Sequence, residues 1–347
     1  MDESQSINVV FCFDKNFVNC TTVAIFSLLK NSKSPIHLHL IVSDIPDGAL
    51  APIKELASTY QATLLIYRPE NFAQYEWKTL NHWTEATYLR LIIPDLIDVD
   101  KIIYLDGDVI VTQDLLELYS LPLDGSAIAG ALEKFHFNFS PKILGSKDEP
   151  YINTGVMLMD LKRLREDNFF NQCLEINRDY HDLIIGVDQD IINKYAEGRK
   201  KILDIKWNTI AVSYYLNASR FRHFVDSDRA ILHFQGPIKP WMEWCNQDMI
   251  DFWMSYAKLS PLKNIALEKI TSYAQAMYKI IKLEEEGDYY ASGLIKNRIM
   301  NTLTKEEKLN LPPIAGNSKL IRNALIDHSP AGSIDTLAEI TDLLFNA

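Results

Sequence analysis

The sequence predicts an α/β fold: a mostly parallel sheet with helices on its faces, followed by a C-terminal extension built from helices alone. Three observations carry this reading. Short apolar runs alternate along the chain with segments whose apolar residues recur at helical spacing. The runs are close to continuously apolar, as expected of strands buried on both faces of a parallel sheet. Beyond about residue 246 the strand pattern stops and only helical periodicity continues. The expected division is therefore a catalytic-sized domain over 1–245 and a helical extension over 246–347.

Taken in order, residues 7–13 form the first apolar run, and 21–30 follow with Val23, Phe26 and Leu29 at helical spacing. Residues 36–43 read as a second strand, 46–60 as a helix and 62–67 as a third strand. Residues 86–97 read as a helix interrupted at Pro94, because proline removes a donor and crowds the preceding turn. Residues 101–111, KIIYLDGDVIV, follow as a strand carrying two aspartates. Further strands are expected over 127–132, 151–159 and 230–234, and helices over 169–180 and 189–196. The polar stretch 133–150, with glycine, proline and three phenylalanines, reads as a lid over a site.

In the extension, Trp253, Tyr256, Leu259, Leu262, Ile265 and Ala266 form an apolar stripe, with Lys263, Lys269, Lys279 and Lys282 after it. Such a segment can rest on anionic lipid, or it can pack on the preceding domain with its lysines in solvent. The acidic cluster at 284–288 and the breaks at 312–313 and 329–332 suggest a small helical tail.

With 347 residues, 47% hydrophobic and 23% charged, the chain has ample material for a large core. A formal net charge of −11 leaves no long basic face for a phosphate backbone, which argues against nucleic acid. The cysteines Cys12, Cys20, Cys173 and Cys245 are scattered and show no metal-ligand spacing, as expected of reduced thiols in a cytosolic protein. The acidic N-terminus has too short an apolar run for a secretory signal. No stretch approaches the roughly 20 apolar residues that cross a bilayer. These readings place the protein in the cytoplasm, soluble, with room for peripheral contact with a membrane surface.

The chemistry concentrates at Asp106 and Asp108. One residue apart on a strand, they project towards the same side, and Gly107 between them leaves room for a ligand. Two neighbouring carboxylates repel unless a cation lies between them, and a hard divalent cation suits oxygen ligands. The competing reading is a hairpin, because Asp-Gly between β-branched runs is a strong turn signal. His233, at the end of the 230–234 run, offers a third ligand, against the bland reading of a satisfied core histidine. Gly236 and Lys239 just beyond it suit a diphosphate beside such a metal, through close backbone approach and a point charge. Together the three ligands would make an octahedral site for Mn2+ or Mg2+, with phosphate oxygens filling the remaining positions.

The segments VVFCFDKNF, TYLRLIIPDLI, KIIYLDGDVIV, YINTGVMLMDLKRLR, DQDIIN and LHFQGPIKPW, in that order, resemble retaining glycosyltransferases of family 8. The stretch WMSYAKLSPLK is similar to the extension of the bacterial lipopolysaccharide core glucosyl- and galactosyltransferases in that family. The resemblance implies a Rossmann-like, nucleotide-sugar-binding domain of the GT-A type, a UDP-sugar donor, a divalent metal, and a glycan or lipopolysaccharide core acceptor. It implies metal ligation by Asp106, Asp108 and His233, and contact of Asp14 and Asn16 with uracil and ribose. Arg90 would reach the nucleotide and the sugar, or else form a surface ion pair, while Gly236 and Lys239 would bind the diphosphate. Asn153, Asp188 and Gln189 would hydrogen-bond the sugar hydroxyls. The structural alternatives are a turn residue for Asn153 and a helix N-cap for Asp188. Glu133 and Thr154 fall beside the sugar, and Glu133 stands where a relative carries aspartate.

The implied reaction moves glucose or galactose from UDP to an acceptor hydroxyl with retention. No carboxylate stands out as a nucleophile of the glycosidase kind. Gln189 is a poor nucleophile, which favours same-face attack, with Asp188 as a stabiliser near the reacting carbon. Two other classes compete: a sugar-nucleotide nucleotidyltransferase, which needs a glycine-rich loop that VVFCFDKNF lacks, and a non-catalytic carbohydrate-binding protein on this fold. A peripheral setting on the cytoplasmic face of the inner membrane follows from the acceptor class.

Overall fold

The computed structural model describes residues 6–70, 72–75, 77–78, 85–133, 149–211, 221, 228–262, 265–271, 273–285 and 287–302. Most of the 133–150 stretch and the tail breaks at 312–313 and 329–332 therefore lie outside the described residues. The chain divides into two compact units: Met1–Ile210 with Asp228–His233 and Tyr256–Lys263, and Ala211–Ser227 with Phe234–Ser255 and Asn264–Ala347.

The first unit is built on β1 (Ile7–Asp14), β2 (Ile36–Ser43), β3 (Thr63–Tyr67), β4 (Lys101–Leu105), β5 (Val109–Val111), β6 (Ile128–Leu132), β7 (Ile152–Asp160), β8 (Lys200–Leu203), β9 (Thr209–Ile210) and β10 (Ile231–His233). Seven of these form one sheet in the order β3-β2-β1-β4-β7-β6-β8, and β5-β10-β9 form a second. Ile7, Val9, Val10 and Phe11 are all buried without residue, as a central strand with both faces covered requires. β1 pairs in parallel with β2 over its whole length and with β4 on its other side. That reversal of winding opens a crevice at the carboxyl ends of β1 and β4, where ligands of such sheets collect.

The helices of this unit are α1 (Val18–Asn31), α2 (Ala51–Thr59), α3 (Ile93–Leu96), α4 (Leu116–Ser120), α5 (Leu161–Glu166), α6 (Phe169–Asp179) and α7 (Val187–Tyr195). Pro52 falls in the first turn of α2, where its missing N–H costs nothing. The Asp160 side chain caps α5 by accepting from Arg163 N at 3.0 Å.

Two sequence expectations for this unit are corrected. Residues 101–111 form neither one strand nor a hairpin. β4 is flanked on both edges by β1 and β7, so β5 finds no edge there and pairs instead with β10 in the smaller sheet. The helix expected over 86–97 is a 3-10 helix, Glu85–Ile92, followed by the single turn of α3, into whose first turn Pro94 falls. β7 runs antiparallel between β4 and β6, so the sheet is mostly parallel, as the sequence predicts. Periodicity reports burial and is blind to strand direction.

The second unit holds most of α8 (Gln247–Ala257), with α9 (Tyr273–Glu285) and α10 (Tyr289–Thr302). Phe221 packs against Phe234 and Phe252, and Trp241 against Trp253 with ring centroids 5.6 Å apart. The apolar stripe read as one helix ends at Ala257. Pro261 disfavours helical backbone at Ser260, and Leu259 is 62% exposed. Lys279 is buried and donates to Cys245 O at 3.0 Å, so it is not a solvated lysine.

Candidate active site

β4 ends at Leu105, and the turn that follows delivers Asp106 and Asp108 to the crevice. The backbone N–H of Asp106 donates to Gly155 O at 2.8 Å, which anchors the turn to β7. Gly107 packs directly on α1: a Cβ there would lie 2.2 Å from Thr21 Oγ1. The glycine of the Asp-Gly-Asp run is thus required by helix packing.

β10 brings His233 against β5, with His233 opposite Val109. Its Nε2 lies 3.4 Å from Asp108 Oδ1 and 3.8 Å from Asp106 Oδ2. One ligand atom from each of Asp106, Asp108 and His233 lies within 4.8 Å of the others. Asp108 and His233 are buried, while the Asp106 side chain keeps 23% of its surface exposed. Gly155 forms the floor beneath them: a Cβ there would sit 2.3 Å from His233 Cε1 and 2.7 Å from Asp106 Oδ2. Two carboxylates and an imidazole nitrogen with glycine-made clearance fit a divalent cation of the manganese or magnesium kind.

Each oxygen of Asp106 has a distinct setting. Oδ1 accepts from Tyr104 Oη at 2.5 Å and pairs with Arg90 Nη2 at 2.9 Å, while Oδ2 faces His233. Arg90 lies over the Tyr104 ring, 4.5 Å from its centroid, and donates through Nη1 to Thr154 O at 3.0 Å. Its Nε lies 3.0 Å from Asp188 Oδ2. Burial pushes the Asp188 carboxyl up to about 6, opposed by Arg90 and by the Thr87 hydroxyl. Arg90 therefore joins Asp106 and Asp188 in one buried network rather than a surface ion pair.

Gln189 stands beside Asp188 in α7, where its Oε1 accepts from the backbone N–H of Thr154 at 3.0 Å. Asn153 is heavily committed. Its Oδ1 accepts from Gly155 N and from Asn208 Nδ2, and its Nδ2 donates to Glu133 Oε2 at 2.7 Å. Asp14 ends β1 and caps the following turn, accepting from Asn16 N at 2.9 Å. Gly236 and Lys239 belong to the second unit. Gly236 has φ +92°, and buried Lys239 donates to Phe234 O at 2.8 Å. Tyr104, Gly155 and Asn208 carry no sequence signal of a role here: Gly155 and Asn208 act through partners far away in the chain, and Tyr104, two residues from Asp106, reads as one more residue of an apolar strand.

A mostly parallel sheet with this crevice and acidic cluster is the nucleotide-sugar-binding architecture of GT-A glycosyltransferases. The model of glycosyl transferase family 8 matches residues 8–245, and the chain belongs to that family. It is 25% identical to the lipopolysaccharide 1,3-galactosyltransferase of Salmonella typhimurium, over 84% of this chain and 89% of that protein. It is equally identical to the lipopolysaccharide 1,2-glucosyltransferase of Escherichia coli K12, over 85% and 90%. Among solved structures it resembles the galactosyltransferase LgtC in complex with donor and acceptor sugar analogs. There the TM-score is 0.65 at 25% identity, covering 74% of this chain and 97% of that one.

Proposed function

We propose that this protein is a metal-dependent, retaining hexosyltransferase that moves glucose or galactose from a UDP-sugar to a hydroxyl of the lipopolysaccharide core. The observation that carries the reading is the convergence of Asp106, Asp108 and His233 beside the sheet crevice in a family 8 chain. Relatives that cover most of the chain include a lipopolysaccharide galactosyltransferase and a lipopolysaccharide glucosyltransferase, which is why both hexoses are carried.

Asp106, Asp108 and His233 would hold Mn2+ or Mg2+, which when bound supplies positive charge against the diphosphate of the departing UDP. Asp14 and Asn16, just past β1, bind the uracil and ribose, and Gly236 and Lys239 bind the diphosphate. Arg90, Glu133, Asn153, Thr154, Asp188 and Gln189 surround the hexose. Gln189 holds Thr154 in place through its Oε1, so it orients the sugar and does not attack it. Asp188 is turned towards Arg90, and its charge stabilises the sugar centre as positive character develops there. The acceptor hydroxyl attacks from the face that UDP leaves, and its proton passes to the leaving phosphate.

All four cysteines remain thiols, none joined in a disulfide, which supports a reducing, cytoplasmic setting. Among the described residues no helix is long and apolar enough to cross a membrane. We place the enzyme at the cytoplasmic face of the inner membrane, where a lipid-linked acceptor is reached by peripheral contact.

The test is incubation with Mn2+ and a panel of UDP-sugars, following the products. Slow release of UDP from UDP-glucose or UDP-galactose is expected. Pyrophosphate exchange instead would make the protein a nucleotidyltransferase, and no turnover with any donor would leave it a carbohydrate-binding protein.

A further inference from the structure

We infer that Asn208 is a positioning residue of the metal cluster, fixing the tautomer of His233 so that Nε2 presents its lone pair to the cation. The inference deepens the metal-dependent reading above and rests on it. Asn208 is wholly buried, between the short turn Ile205–Trp207 and β9.

The assignment follows from one atom whose role is unambiguous. The backbone N–H of Gly155 can only donate, so the Asn153 side-chain atom 2.9 Å away is its oxygen, Oδ1. That oxygen also lies 2.8 Å from the Asn208 amide, which must therefore offer its NH2 group. The other end of the Asn153 amide faces Glu133 Oε2 at 2.7 Å, the contact of an NH2 with a carboxylate, so the orientation is fixed from both sides. The Asn208 oxygen is then the atom 3.0 Å from His233 Nδ1, and an oxygen acceptor requires a proton on Nδ1. A neutral imidazole protonated there keeps its lone pair on Nε2, the nitrogen 3.4 Å from Asp108 Oδ1 and 3.8 Å from Asp106 Oδ2. The chain of bonds from Glu133 through Asn153 and Asn208 thus ends at a metal ligand, and ligating histidines are generally oriented by such a partner on the other nitrogen.

Two measurements test this, neither of which uses turnover. In 15N-histidine spectra of metal-free wild-type protein at pH 8, the His233 signal, assigned by its loss in His233→Gln, should be that of an Nδ1-protonated ring. In a Mn2+ titration followed by electron paramagnetic resonance, without sugar nucleotide, Asn208→Leu should bind about tenfold or more weakly than wild type. An Nε2-protonated His233 in wild type would overturn the inference, as would a smaller loss in a folded Asn208→Leu. If Asn208→Leu does not fold, the wild-type tautomer decides. Absence of Mn2+ binding by wild type would sink the metal reading itself, whereas wild-type binding untouched by Asn208→Leu sinks only this inference.

Discussion

At the scale of single residues, Arg90 is the group on which the others depend. Its side chain is 8% exposed and holds two carboxylates at once, Asp106 at 2.9 Å and Asp188 at 3.0 Å. Burying two carboxylates near each other is costly unless a cation compensates both. Removing the guanidinium would strand them, so Arg90→Met should lower unfolding stability by about 3–5 kcal/mol in metal-free protein, read from urea denaturation. A loss below about 1 kcal/mol would show that the pairs contribute little to the fold. Position 90 stands out in the sequence as a candidate site residue through the family resemblance, whereas the identity of its partners does not. Asp106 is 16 residues away and Asp188 is 98, distances that no local pattern spans.

At the scale of elements, the parallel pairing of β1, β2 and β3 holds a histidine without charge. His39 lies between Asn8 Oδ1 and the Tyr67 hydroxyl, 3.2 Å from each, and stacks on the Tyr67 ring. Burial, reinforced by His37, pulls its pKa down to about 4 from the ordinary 6.5. The unfolded chain therefore takes up this proton before the folded one. The stability this site contributes is present above about pH 6.5 and is lost as the pH falls towards 4. The urea midpoint of wild type should drop across that window more steeply than that of His39→Gln. Parallel curves would mean that His39 is not held neutral.

The elements also show where sequence reasoning succeeds and where it stops. The alternation of apolar runs and helical segments marks β1, α1, β2 and α2 because each is buried in a regular pattern, and β3 through its apolar composition although it is only partly buried. It misses β8, KKIL, in which only Leu203 is buried, and β9, which is too short for any period to register. It misreads residues 101–111 because an apolar run looks the same whether it stays in one sheet or crosses to another.

At the scale of the whole molecule, the three candidate metal ligands could be picked out because they carry unusual chemistry at strand ends. The residues that shape their surroundings could not. Tyr104 and Gly155 belong to types whose ordinary role is packing and Asn208 to one that ordinarily serves turns, and only the topology that brings the ends of β4, β7 and β10 together gives them work at the site. The family match ends at residue 245, close to where the sequence turns to helices alone.

On the function proposed above, sugar transfer requires a divalent cation gripped by Asp106, Asp108 and His233. Its most direct measurement is UDP release from the preferred UDP-hexose by protein stripped with a chelator and then supplied with Mn2+. Stripping should abolish release, Mn2+ should restore it in wild type, and Asp108→Asn should stay inactive with its fold intact. Undiminished release from the stripped protein, or equal recovery by Asp108→Asn, would contradict that requirement.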